Sequence, residues 1–553
     1  MATTSKPSAI GGGGGGGGAV ADNAEGMARR FWIKFSKDST LALYTPFVVC
    51  LASGNLKLDT FRYYIAQDVH FLKAFAQAYE SAEDCADDDD AKIGISQLRK
   101  SVLEKLKMHG SFVKEWGSDM VKENTLNSAT VKYTDFLLAT ASGKVEGVKG
   151  PGKLATPFEK TKLAAYTLGA MTPWTRLYAF LGKELQALLD SDSSSHLYKK
   201  WIDNCSSGSF QASALQTEDL LDKLSVSLTG EELDIIEKLY HQALKLGIQF
   251  FCAQPLVQRP VVPLTNEHNL REHQIAIVTA PKSDQSQPEN QIVRMSSADL
   301  RNTWGVLSRQ YTEEYEQCIE SIVRSGKAER FNYEGLCKAL EQLSNFEKKA
   351  NSSVIESGVL KGLNLEEIKR AGERVKLQDG CTGFFERVVK NGNLNANVHV
   401  LSYCWCGDLI RSAFSSGGLN VLKVHANEFV YENSISTGEI VKKVESPIDK
   451  VKAFSDILKN SSKEKKNLTV YIGDSVGDLL CLLEADVGIV HGSSTSLRRV
   501  GSHFGVSFVP LFPGVVKKQK GCAEGSTSSW KGLSGILYTV SSWAEIHAFI
   551  LGP

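Results

Sequence analysis

No apolar run in the 553 residues approaches the ~18 needed to cross a bilayer, so no membrane-spanning helix is expected. Net charge is missing too. The 63 basic residues balance 63 acidic ones, which removes any chain-wide electrostatic drive toward nucleic acid or an anionic membrane. The 11 cysteines lack zinc-finger spacing, and Cys404-Trp405-Cys406 is C-x-C rather than C-x-x-C. A reducing compartment follows as the simpler reading. No secretory apolar region stands near the start, and no internal repeat is apparent. What is present is an ordinary globular composition, 42% hydrophobic and 23% charged, in a chain long enough for two to four domains.

Residues 1–26 are rich in Ala, Ser, Thr and Gly, with an unbroken glycine run from Gly11 to Gly18, and read as a flexible tail. A cytoplasmic location is favoured. The acid-poor start keeps a mitochondrial or plastid address open.

From residue 27 to 262 the periodicity is helical. In Thr60–Phe75, Phe61, Tyr64, Ile65, Asp68, Phe71, Leu72 and Phe75 share one stripe at three/four spacing. Asp68 is the anomaly, because an acid on an apolar face is costly unless paired. Further helices are expected over 90–108, 129–141, 161–189 and 230–254, and prolines 255, 260 and 263 close the region. A second helical block runs from Ser296 to Lys376. Beyond Gly380 the pattern is α/β, with strands near 398, 422, 470, 487 and 507.

The densest signal is Val470-Tyr-Ile-Gly-Asp-Ser-Val-Gly-Asp478, continuing to Ala485-Asp486. It reads as a buried strand, a glycine turn and a helix. Asp474 and Asp478 then sit at the carboxyl end of a strand, where open α/β sheets bind ligands, and could supply a hard-cation site. The plainer reading is a βα turn with an N-cap aspartate.

This stretch resembles the fourth motif of HAD-superfamily phosphohydrolases. Val398–Ser402, a strand ending in a hydroxyl, is similar to the second motif, and Ser446-Pro-Ile-Asp-Lys450 to the third. The resemblance implies that Ser402 and Lys450 are catalytic, with Ser402 bonding a phosphoryl group and Lys450 neutralising charge. It implies Mg²⁺ held by Asp474 and Asp478. Lys452 is a second lysine candidate, but Lys450 is better spaced from Pro447. The first motif, DxD with its nucleophile and acid/base aspartates, is not found. Between Pro255 and Arg294 the only aspartate is Asp284, and Ile275-Ala-Ile-Val-Thr279 ends in Ala280-Pro281. The tetrad Asp87–Asp90 follows no apolar strand. The nucleophile strand therefore reads as lost, which should weaken the sheet.

Leu56–Asp68 resembles the signature of the TenA, thiaminase-II-like family, an all-α bundle. There the aspartate binds the polar edge of an aminopyrimidine, a role that falls on Asp68. The resemblance extends over about 30–260 and implies pocket roles for Phe71, Tyr133 and Tyr178. The cysteine nucleophile usual after Pro173 is replaced by Trp174, a pocket tyrosine by Cys205, and the catalytic glutamate by Gly247.

The expectation is a multidomain chain: a flexible tail (1–26), a TenA-like helical bundle (27–262), a linker (263–295), a helical cap (296–378) and a HAD-like α/β core (379–553). A TenA-like unit fused to a HAD unit resembles the bifunctional thiamin-salvage proteins of plants. Small-molecule substrates, thiamin monophosphate and aminopyrimidines, are implied, with Mg²⁺, no nucleic acid, no membrane, and homo-oligomers through the helical half. A non-catalytic descendant that binds ligand or assembles is the alternative.

Overall fold

The computed structural model describes residues 26–115, 126–145, 157–189, 196–266, 273–279, 297–324, 326–391, 394, 396–419, 422–459, 466–522 and 530–553. The glycine tail, Asp284 and residues 280–296 lie outside them.

The N-terminal half is a helical bundle. Its long members are Leu58–Cys85, Asp89–Glu115, Ser128–Ala141, Pro157–Gln186, Gly208–Ser225 and Gly230–Cys252. The apolar stripe of Leu58–Cys85 is buried as its spacing requires, and Asp68 is buried with it. Starts are set by side-chain caps. Asn127 accepts from the Thr130 N–H, and Thr229 with Glu232 forms a reciprocal capping box. Pro157–Gln186 is the central post, packed against Leu58–Cys85, Gly208–Ser225 and Gly230–Cys252.

The C-terminal half is built on ten described strands: β1 (His273–Thr279), β2 (Lys361–Asn364), β3 (Ala396–Leu401), β4 (Lys423–His425), β5 (Glu428–Glu432), β6 (Ile435–Val441), β7 (Lys466–Gly473), β8 (Val487–His491), β9 (Ser507–Pro510) and β10 (Ile536–Val540). Seven form a parallel sheet in the order β4-β3-β1-β7-β8-β10-β9, and β2-β6-β5 form a small antiparallel sheet. Helices Ser297–Val323 and Tyr333–Glu356 pack on each other and on the α/β half, where Ile319, Leu336, Leu340 and Leu343 share one buried cluster with Leu479, Leu480 and Leu483.

Three expectations are corrected here. The central strand is not lost: β1 pairs in parallel with both β3 and β7. Ile275, Ala276, Ile277 and Val278 are all buried, and a largely β-branched run of that length suits a strand covered on both faces. Strand formation needs burial, not the acid that was sought at its end. Consequently 263–295 is not simply a linker. The cap boundary at 378 is also crossed, because β2 pairs with β6 through Lys361 and Thr437.

The halves share one apolar cluster. Helix Ser36–Leu43 packs on Trp543–Ile550, and Pro46–Ala52 on Leu511–Lys520. Tyr44 meets Phe512 edge-on at 5.3 Å between ring centroids. Gln519 accepts from the Val261 N–H and donates to the Arg259 carbonyl.

Candidate functional site

In the bundle, Asp68 is fully buried and neither carboxylate oxygen makes a hydrogen bond among the described residues. Its nearest charged neighbours come from helix Asp89–Glu115. Lys105 Nζ is 4.0 Å from Asp68 Oδ2, and His109 Nδ1 is 3.5 Å away. Burial pushes the Asp68 carboxyl up to about 6, with Lys105 pulling it back. Burial and the Lys105 charge push His109 down to about 3, so it is neutral at physiological pH. The Tyr133 hydroxyl, Lys105 Nζ and His109 Nδ1 are likewise buried without hydrogen bonds among the described residues. Buried polar groups without partners are uncommon in folded proteins and call for a reason, such as a bound ligand or water.

Aromatic rings wall this cluster. Phe71 packs on Tyr133 at 4.6 Å and on Trp174 at 5.5 Å, and Trp174 packs on Tyr178 at 4.6 Å. Beside it opens a cavity of about 290 Å³, whose lining includes Phe75, Leu98, Lys105, Met108, Trp174 and Phe210. The structure thus brings Asp68, Phe71, Tyr133 and Tyr178 into one neighbourhood. The Tyr178 hydroxyl is engaged with Tyr64 at 3.1 Å, and Tyr64 also accepts from Trp201. Trp174 lines the cavity, as its bulk implied. Cys205 is fully buried and burial pushes its thiol up to about 12, so it is unsuited to attack. Gly247 faces Leu177, whose Cδ2 a Cβ would meet at 3.3 Å.

Sequence reasoning missed Lys105 and His109. A signal was present: Leu98, Val102, Lys105 and His109 fall on one face of a helix, so two ionisable residues stood at positions the periodicity marks as buried.

In the α/β half, β3, β1 and β7 end side by side. Thr279 pairs with Val400 and with Ile472, so Ser402 and Asp474 follow strands that flank the end of β1. Lys450, in the first turns of helix Pro447–Lys459, places Nζ 2.6 Å from Asp478 Oδ1. Asp478 is saturated. Tyr471 also donates to Oδ1, while Oδ2 accepts from the Asp474 N–H and from both the Ser475 N–H and hydroxyl. Burial raises its carboxyl, but the Lys450 charge and these hydrogen bonds outweigh burial and hold it below the usual range. Tyr403 lies over Lys450, its ring centroid 4.2 Å from Nζ, and its hydroxyl donates to the Gly477 carbonyl. Ser402 Oγ accepts from the Cys404 N–H. From the cap, Glu347 sits close enough to feel Lys450. Burial pushes its carboxyl up to about 7, against the pull of the Tyr311 hydrogen bond and Lys450.

Among the described residues the donor set for Mg²⁺ is incomplete, since no DxD pair is found and Asp478 is engaged by Lys450. Asp478, expected as a ligand, is the counter-ion of Lys450 and closes a capping box with Ser475. β1 ends in Thr279, not in an acid. Among the described residues no three His, Cys, Asp or Glu side chains are grouped to hold a metal. Asp486 serves the sheet, accepting from the Thr469 N–H and hydroxyl. Asp88, from the tetrad, caps the Ala91 N–H and pairs with Lys223.

A profile of the TENA/THI-4/PQQC family matches residues 43–145. The bifunctional TH2 protein, mitochondrial, of Arabidopsis thaliana is 66% identical over 552 residues, covering 96% of this chain and 90% of the relative. The chain belongs to the bifunctional TH2 protein family. Within that family frame, the helical half carries the TENA/THI-4/PQQC match and the other half is built on a seven-stranded parallel sheet. The chain is also similar to an aminopyrimidine aminohydrolase of Helicobacter pylori, 26% identical over 200 residues, 35% of this chain and 82% of that one. A phosphoserine phosphatase structure covers 41% of this chain and 91% of its own, at 19% identity and a TM-score of 0.25. No helix among the described residues is long and apolar enough to cross a membrane.

Proposed function

We propose that the chain is a thiamin-salvage protein whose helical half receives the aminopyrimidine portion of thiamin-derived molecules. The observation that carries this reading is Asp68: a fully buried carboxylate, unbonded at both oxygens, behind an aromatic-walled cavity. An exocyclic amine is a donor such a carboxylate lacks, and a flat heterocycle suits the surrounding rings. With Trp174, Cys205 and Gly247 where nucleophile, tyrosine and glutamate were sought, any hydrolysis would be weak.

The α/β half fits a phosphate-bearing ligand such as thiamin monophosphate at the edge holding Ser402 and Lys450. Lys450 would offer charge and Ser402 a hydroxyl, with Asp478 orienting the lysine. No phosphoryl-transfer step is drawn through Mg²⁺, because the described donors do not make its site. The second reading, a catalytically impaired member that binds ligand or assembles with other copies, is favoured by one observation: β1 is an interior strand between β3 and β7 yet ends without an acid. A mitochondrial location is proposed from the Arabidopsis relative.

The deciding experiment is phosphate release from thiamin monophosphate with Mg²⁺, run beside Asp474→Asn. Release that the variant abolishes supports the phosphatase reading. No release from folded protein that still binds an aminopyrimidine supports the impaired reading.

A further inference from the structure

Lys105 is placed where a ligand's positive charge would go. Its side chain is only 9% exposed. Nζ lies 4.7 Å from the Trp174 ring centroid, 5.1 Å from Tyr178 and 5.7 Å from Phe210. With Asp68 Oδ2 at 4.0 Å, this is an aromatic cage with a carboxylate base, the kind of arrangement that otherwise recognises quaternary ammonium groups. Here the chain's own ammonium fills it. Lys105 also lines the cavity while Asp68 does not, so a molecule entering meets Lys105 before the carboxylate.

We propose that Lys105 is the specificity-determining residue of this pocket, rejecting ligands that carry a permanent positive charge and admitting neutral aminopyrimidines. The proposal rests on the aminopyrimidine reading above. The physical basis is occupancy plus repulsion. A thiazolium ring drawn to the cage would share it with the Lys105 ammonium. Taken alone, a second cation about 5 Å from the first, at an effective dielectric of about 20, is disfavoured on the order of 100-fold, which the nearby Asp68 carboxylate partly offsets. His109 adds no charge, since burial keeps it neutral. A neutral aminopyrimidine suffers no such repulsion and can give its amine hydrogens to Asp68.

The test is titration of the full chain with two ligands, thiamin and the neutral 4-amino-5-hydroxymethyl-2-methylpyrimidine, by calorimetry. Wild type, Lys105→Met and Lys105→Arg are compared. The methionine keeps most of the stem and removes the charge, whereas the arginine keeps the charge. Wild type and Lys105→Arg are expected to bind the neutral heterocycle and discriminate against thiamin. Lys105→Met is expected to tighten thiamin binding by on the order of 10- to 100-fold while moving the neutral ligand far less. Neutral-ligand binding with an unchanged thiamin ratio in Lys105→Met overturns the role of Lys105 and leaves the aminopyrimidine reading standing. Loss of discrimination in Lys105→Arg also overturns it, because charge would then not be the cause. Failure of every folded variant to bind either ligand overturns the aminopyrimidine reading and the proposal together.

Discussion

Replacing Lys450 with methionine tests whether the Lys450–Asp478 pair holds the carboxyl edge of the sheet together. Both side chains are almost fully buried and 2.6 Å apart. At an effective dielectric of about 20, that separation corresponds to roughly 6 kcal/mol of attraction, much of it offset by desolvation. Removing one partner of a buried pair costs about 3–5 kcal/mol, because a charge is left behind. Asp478 would keep Tyr471, the Ser475 hydroxyl and two backbone N–H donors. The lower end, about 3 kcal/mol, is therefore expected.

The assay is scanning calorimetry of Lys450→Met against wild type. At about 2–4 °C per kcal/mol for a domain of this size, the C-terminal transition should fall by roughly 6–12 °C. The pH dependence has a fixed sign. A carboxyl held below its unfolded value contributes stability above the unfolded pKa of about 3.9 and loses it as pH falls through the folded value. The gap between variant and wild type should be full at pH 7 and narrow below about pH 4. A variant melting within about 2 °C of wild type at pH 7 would refute the reasoning.

Four further outcomes follow. Between pH 4 and pH 6 two buried groups oppose one another. Asp68, raised to about 6, loses its contribution as pH rises, whereas His109, lowered to about 3, loses its contribution as pH falls from about 6.5. Asp68→Asn should therefore expose the histidine slope, about 1.4 kcal/mol per pH unit, and a denaturation series showing no added acid sensitivity would count against this account. Trp174→Ala should destabilise the helical half by about 3–5 kcal/mol, read by calorimetry, since Trp174 packs on Phe71, Phe75 and Tyr178. Cys205 should stay unmodified when native protein is treated with iodoacetamide at pH 8, and mass-spectrometric labelling there would contradict its burial. Mg²⁺ alone should not raise the C-terminal melting transition; at ten times a dissociation constant a bound ion would add about 1.4 kcal/mol, enough to see.

Much of the architecture was legible because it depends on periodicity. The three/four stripe of Leu58–Cys85 and the β-branched run of β7 each state which face is buried. β1 was misread for an instructive reason. Its four buried core residues are as clear as those of β7, but a chemical expectation, an acid at the end, overrode the burial pattern. β10 and the β5–β6 hairpin were missed because they are short and half-exposed, so neither period is strong. Lys105 was missed for a different reason. The helix pattern marks its position as inward, but only tertiary packing shows which rings and which carboxylate it meets.

The two lysine–aspartate pairs show how geometry separates structural from receptive charge. Asp478 accepts five hydrogen bonds, one of them from Lys450 at 2.6 Å, and has no lone pair left to offer a newcomer. Asp68 is equally buried, but Lys105 stops at 4.0 Å and forms no hydrogen bond to it. Burial drives both carboxyls upward. Only in Asp478 do partners reverse the shift. Lys450 and Asp478 have closed that last ångström, which fixes the lysine at the sheet edge. A buried carboxylate left unbonded among aromatic rings keeps its desolvation cost until something donates to it. Ligand binding should therefore stabilise the helical half beyond its contact area, while the pair at the sheet edge should be indifferent to ligand in the bundle.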